Sequence, residues 1–167
     1  MSMTAERLRE VLAYDPETGD FHWRASKGTA KAGSKAGTYD THGYVQIKID
    51  SKIHLAHRLA WLYVHGEWPD TQVDHRNRTR SDNRFDNLRK ATNAQNQQNR
   101  GVDKNNTSGH PGVHWDIRQR KWMAKIQIDG RRLSLGGFDS FENAVAARSK
   151  AKAEHHTFHP IDQGVAL

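Results

Sequence analysis

The chain has 167 residues, 35% hydrophobic and 27% charged, with a formal net charge of +7, which excludes a large single core and favours small modules with a polyanionic partner. It has no cysteine, which excludes disulfides and the thiolate zinc sites common in small nucleic-acid modules and fits a reducing, cytoplasmic setting. The longest apolar run, residues 59–64, is too short to span a bilayer or serve as a signal peptide, so no membrane partner is expected.

In chain order, residues 4–12 read as a short helix with Thr4 at its N-cap and Leu8, Val11 and Leu12 at helical spacing. Tyr14-Asp15-Pro16-Glu17-Thr18-Gly19 is turn chemistry, and residues 19–23 read as a strand. Residues 25–38 are small, glycine- and lysine-containing loop, with Lys27, Lys31 and Lys35 read as solvated. Residues 43–49 alternate, with Val45, Ile47 and Ile49 on one face and Gln46 and Lys48 on the other, so a half-buried strand is predicted. Asp50-Ser51-Lys52 forms a turn and residues 53–55 the returning partner. Residues 56–65 read as a helix with Leu59, Leu62 and Tyr63 on one face, stopped by Gly66 and Pro69. His54, His57 and His65 lack acidic or cysteine company at ligand spacing, and are read as packing or capping residues rather than a second metal site.

The run Val73 to Asn99 carries the chemistry. Residues 72–75 read as a strand, 76–86 as a loop, 87–91 as a returning strand and 92–100 as a helix. An acidic residue beside a histidine, followed by asparagines, suits metal-assisted phosphodiester hydrolysis. A carboxylate and an amide oxygen hold a hard divalent cation, which keeps several waters. A neutral imidazole takes a proton from the attacking water. Side chains alternate along a strand, so Asp74 and His75 share one site only where that strand ends. The segment 76–90 adds six basic residues against two acidic ones. Its arginines, Arg76, Arg78, Arg80 and Arg84 among them, are expected to grip a DNA backbone.

The order Asp74-His75, Asn87-Leu88-Arg89 and Asn96, together with the opening YDPETGDFHW, resembles the HNH endonucleases, in particular their phage homing-endonuclease branch. The resemblance implies a ββα-metal nuclease module and a divalent metal, magnesium first and manganese next, with no other small-molecule cofactor. It implies that Asp74 and Asn96 bind the metal, that His75 is the general base, and that Asn87 braces the loop or orients the histidine.

Residues 99–110 are polar without apolar periodicity and read as a linker. Beyond them, residues 112–118, 122–128 and 132–135 alternate like three strands, with Lys121 in the first turn and Asp129-Gly130 as a type I′ hairpin signal. Val113, Trp115, Ile117, Trp122, Ala124, Ile126, Ile128, Leu133 and Leu135 then face one side. His114, Asp116, Arg118, Met123, Lys125, Gln127, Arg132 and Ser134 face the other. Ser140 caps a helix reaching about Glu154, whose Phe141, Ala144, Val145 and Ala151 cover the apolar face. The tail from His155 shows no pattern and is expected to fray. SGHPGVHWD, KWMAKIQIDG and LGGFDSFENAVAA resemble the APETALA-type domain of plant ethylene-response factors and its phage relatives. That resemblance implies DNA contacts from His114, Arg118, Lys125, Gln127 and Arg132. His114 and Asp116 stand where the plant pattern has basic residues, so base specificity does not carry over.

The expected protein is α+β: an HNH module over residues 1–100, a linker over 101–110, and an APETALA-type domain over 111–158. Its expected activity is metal-dependent, site-directed cleavage of double-stranded DNA by a monomer, in the host cytoplasm if phage-encoded. The alternative is a DNA-binding regulator whose nuclease module has decayed, against which the intact set Asp74, His75, Asn87 and Asn96 speaks.

Overall fold

The computed structural model describes residues 3–26, 28–99, 101–102, 105–128, 130–156 and 158. Lys27, Asp129 of the hairpin signal and the tail residues 159–167 lie outside the described residues. The chain divides into two compact units, the first made of the described residues up to Thr92 and the second of those from Asn93 onward.

In the first unit, Thr4 caps helix α1 (Ala5–Val11), its hydroxyl accepting from the Arg7 amide at 3.2 Å. Strand β1 (Leu12–Tyr14) then pairs antiparallel with β2 (Phe21–Trp23), so the residues before the turn also enter a small sheet. Strands β3 (Thr38–Tyr39), β4 (Val45–Ile49) and β5 (Lys52–Leu55) form a meander with β4 in the centre. The β4–β5 connection is a two-residue turn with both φ angles positive, 47° at Asp50 and 68° at Ser51, the geometry that matches strand twist in tight hairpins. Alternation places Ile47 and Ile49 in the core. Helix α2 (Ala56–His65) ends at Gly66 in the left-handed region, φ 81°, where lack of a Cβ removes the steric cost. Leu8, Leu12, Phe21, Ile47, Leu59 and Leu62 are the fully buried centre, each contributing roughly 1.5–3 kcal/mol by leaving water.

Strand β6 (Gln72–His75) pairs antiparallel with β7 (Leu88–Ala91), Asp74 opposite Arg89 and His75 opposite Leu88. Asn87, expected to open the returning strand, instead ends a 3₁₀ turn (Phe85–Asn87). Gly19 holds the N-terminal turn against the loop between these strands. A Cβ there would lie 2.4 Å from the Arg84 amide nitrogen, and the Phe85 amide donates to the Pro16 carbonyl at 2.9 Å.

The second unit begins with α3 (Asn93–Gln98), so the division falls ahead of the polar stretch that reads as a linker. Part of that stretch is ordered: Ser108 Oγ donates to the Val113 carbonyl at 2.6 Å and Asn106 Nδ2 to the His110 carbonyl at 3.1 Å. Strands β8 (Val113–Asp116), β9 (Lys121–Ile128) and β10 (Arg131–Phe138) form an antiparallel sheet with β9 central. Ser140 caps α4 (Phe141–His155), accepting from the Asn143 amide at 3.1 Å. Val113, Ala124 and Ala144 make a small core, closed by the half-buried Trp122, Leu135, Phe138, Phe141 and Val145.

Several details depart from the alternation pattern, and Trp115 and Leu133, expected inward, are exposed. β8 stops at Asp116, whose carboxylate accepts from the Arg118 and Gln119 amides; Arg118 is therefore in the turn, and Ile117 is exposed rather than inward. Lys121 opens β9 opposite Asp116 instead of sitting in the turn. A bulge between Ser134 and Gly136 shifts the register of β10. The tail begins in order too, since His156 is buried and its Nε2 meets the Gln127 carbonyl at 2.9 Å.

Candidate active site

The β6–β7 ladder sets the first contact. Cross-strand partners point to the same side of a sheet, and Arg89 Nε donates to Asp74 Oδ2 at 3.0 Å with both side chains largely buried. The carboxylate is thus charge-matched and oriented by the neighbouring strand. Next in sequence, His75 is 4% exposed and closes β6. Its Nε2 lies 3.1 Å from Asn83 Oδ1, and Asn83 Nδ2 donates to the Ser81 carbonyl at 3.4 Å. An amide oxygen only accepts, so Nε2 carries the proton and Nδ1 is left as the basic nitrogen.

The loop that supplies Asn83 is braced from within. Asn87 Oδ1 accepts from the Asn77 amide at 3.0 Å, while its Nδ2 donates to Asn77 Oδ1 at 3.0 Å and the Asp82 carbonyl at 2.8 Å. Asn77 Nδ2 in turn donates to Asp82 Oδ2 at 2.6 Å. Arg84 grips the same carboxylate through Nε and Nη2 at 2.9 and 2.7 Å, and holds Asp82 below the usual carboxylate range. Tyr14 donates its hydroxyl to the Asn83 carbonyl at 2.7 Å, a buried bond from the N-terminal turn. The bonds of Asn87 to Asn77 and Asp82 serve the loop, and the amide that meets the His75 ring is that of Asn83.

On its other side His75 meets two aromatic neighbours. The His57 ring of α2 stands edge-on at 5.0 Å between centroids, and Tyr44, just before β4, lies at 6.0 Å. His57 is 5% exposed, its Nδ1 has no hydrogen-bond partner, and it is pushed down to about 3, by burial first and then by His75. Burial also pushes His75 below its ordinary value, against the opposing hydrogen bond to Asn83. Both imidazoles are therefore neutral at pH 7.

This burial sets an acid-sensitivity. Unfolded histidines bind a proton near pH 6.5, whereas native His57 resists it until about 3. In that window the unfolded state binds more protons, so stability falls as pH falls, by up to about 1.4 kcal/mol per pH unit for one such group. Urea unfolding between pH 7 and about 4.5 is expected to show this slope, and His57→Gln to flatten it. An equal slope in the variant assigns the acid-sensitivity elsewhere.

Asp74, His75 and Asn87 thus gather at the β6–β7 hairpin, and Asn96 stands on α3 in the second unit. Arg76, Arg78, Arg80 and Arg84 lie on the loop between these strands. In the second unit, Arg132 pairs across from Gln127, Ser134 from Lys125 and His114 from Met123. These face away from Val113 and Ala124, which pack with the α4 residue Ala144. Sequence reasoning did not single out Asn83 or Tyr44 and gave His57 only a packing role.

Residues 54–98 match the family model of the HNH endonucleases. The matched stretch runs from β5 through α3 and contains Asp74, His75, Asn83, Asn87 and Asn96. It supports an HNH nuclease. No curated protein and no solved structure matches the chain.

Proposed function

We propose that this chain is a metal-dependent DNA endonuclease of the homing type, with its chemistry at Asp74 and His75 and its duplex reader on the open sheet face of the second unit. The observation that carries the reading is His75: a buried imidazole at a strand end, fixed through Nε2 by Asn83 and kept neutral, with Nδ1 as the base. It lies inside the segment that matches a nuclease family. In this reading His75 Nδ1 takes the proton of a water that attacks phosphorus in line, and Asn87 keeps the loop that bears Asn83 in shape.

The proposed cofactor is a hard cation held through a light protein shell. Among the described residues no three His, Cys, Asp or Glu side chains gather into a metal-binding group, so Asp74 is the one carboxylate proposed to hold it. A bound magnesium ion, or manganese in its place, would supply charge stabilisation to the phosphate and the leaving oxygen. Calorimetric titration with magnesium is expected to show weakened binding in Asp74→Ala. Unchanged affinity in Asp74→Ala would place the ion away from Asp74.

His114, Lys125, Gln127 and Arg132 are the proposed duplex contacts of the sheet face, Arg118 joins them from the turn, and the acting species is a monomer. Conversion of supercoiled plasmid to nicked or linear forms with magnesium, and its loss with a chelator, tests the reading. Duplex binding without cleavage under magnesium and manganese would support the regulator instead.

A further inference from the structure

The four loop arginines have different fates. Arg84 is matched by Asp82 through two short bonds. Arg78 takes a positive φ of 63°, and its amide donates to the His75 carbonyl at 3.0 Å. Arg76 is partly buried, and its Nε has no partner. Arg80 is exposed, yet fixed on two sides: Nη1 donates to the His42 carbonyl at 2.8 Å and the guanidinium carbon lies 5.0 Å over the Tyr44 ring. Neither partner carries a negative charge, and among the described residues no carboxylate forms an ion pair with the guanidinium, which is held in place by neutral groups.

The platform is itself built. Asp40 Oδ1 accepts from the His42 amide at 2.8 Å and the Tyr44 amide at 2.9 Å, shaping the β3–β4 tip that offers the carbonyl and the ring. The same ring lies 6.0 Å from His75 and 5.4 Å from His57. A fixed cation therefore stands on the ring that neighbours the imidazole the nuclease reading makes the base.

We propose that Arg80, stacked on Tyr44 and tied to the His42 carbonyl, contacts the non-bridging oxygens of the scissile phosphate as charge builds there during attack, with Tyr44 as its positioning residue. The inference rests on the nuclease reading and adds to it a catalytic cation. A generic backbone contact strengthens binding in the ground and transition states alike, whereas a cation aimed in advance acts mostly on the rate. An arginine serves here because its plane stacks on a ring while its edge donates to an oxygen, which an ammonium does not reproduce.

The test measures magnesium-dependent plasmid cleavage with enzyme in excess alongside affinity for a random-sequence duplex in chelator, on the full chain. Arg80→Gln is expected to slow cleavage by about 10²-fold while duplex affinity moves by less than about threefold, roughly one lost phosphate contact. Arg7→Gln, which removes one charge from α1, is expected to keep the wild-type rate. Tyr44→Phe, which keeps the ring, is expected to lose less rate than Tyr44→Leu, and Tyr44→Leu adds little in the double variant with Arg80→Gln. Free guanidinium is expected to restore part of the rate to Arg80→Ala. Should Arg80→Gln fail to fold by its melting curve, Arg80→Lys takes its place, with a loss of rate at unchanged affinity expected.

Cleavage by Arg80→Gln at the wild-type rate, or a loss confined to affinity, overturns the inference and leaves the nuclease reading standing. So does an equal rate in Tyr44→Phe and Tyr44→Leu. A wild type that cuts nothing with magnesium or manganese overturns the nuclease reading, and the inference with it.

Discussion

His75→Ala is expected to remove cleavage, by about 10²–10⁴-fold for loss of a general base, while DNA affinity stays within a few-fold. The imidazole is 4% exposed and its protonated nitrogen is spent on Asn83, so it offers little to a duplex in the ground state. What it offers is the lone pair on Nδ1, already free of a proton because burial holds the group below its ordinary value. The base works in its neutral form. The rate should therefore rise with pH through a midpoint below 6.5 and be level at neutral pH. Single-turnover kinetics across pH, with binding followed by anisotropy, measures both quantities. Near wild-type cutting by the alanine variant means another group takes the proton. Asn83→Leu makes the complementary case: it keeps the imidazole and removes the fixed tautomer, so it should lower the rate with His75 still present.

Much of this geometry was legible because some signals are local. Alternation over 43–49 and 122–128, the caps Thr4 and Ser140, and Gly66 after α2 each act within a few residues, and the elements they mark are present. The pairing of β1 with β2 and the two-residue strand β3 were not, since three residues or fewer carry no period. The site divides the same way. Asp74-His75 stands out as a dipeptide at a strand end. Asn83 does not, because an asparagine in a polar loop looks like any turn residue until the Tyr14 hydroxyl and the Asn87 brace hold it under His75. His57 and Tyr44 come to His75 from α2 and the β3–β4 tip, contacts that only the packed fold creates. The short β8 has a local cause that alternation hides: Asp116 caps its own turn and ends the strand before Arg118.

The largest stability effect is expected at Arg89. Its Nε lies 3.0 Å from Asp74 Oδ2, with the two side chains 14% and 8% exposed, so the pair is screened little by solvent. Removing one member of a buried pair costs about 3–5 kcal/mol, because the remaining charge stays desolvated without its main counter-charge. Arg89→Met should fall in that range, lowering the melting temperature by more than about 10 °C for a unit of this size. Replacing both groups should cost far less, so Asp74→Leu with Arg89→Met is expected to recover much of the loss, and the double-mutant cycle to show a large coupling. Magnesium provides the discriminating arm. If Asp74 also holds the metal, the ion can compensate the carboxylate that Arg89→Met strands. The thermal shift with magnesium should then be larger in Arg89→Met than in the wild type, and absent in Asp74→Leu. Equal shifts in all three proteins would place the ion away from Asp74. A single variant that melts with the wild type would mean that solvent, rather than the guanidinium, balances the carboxylate.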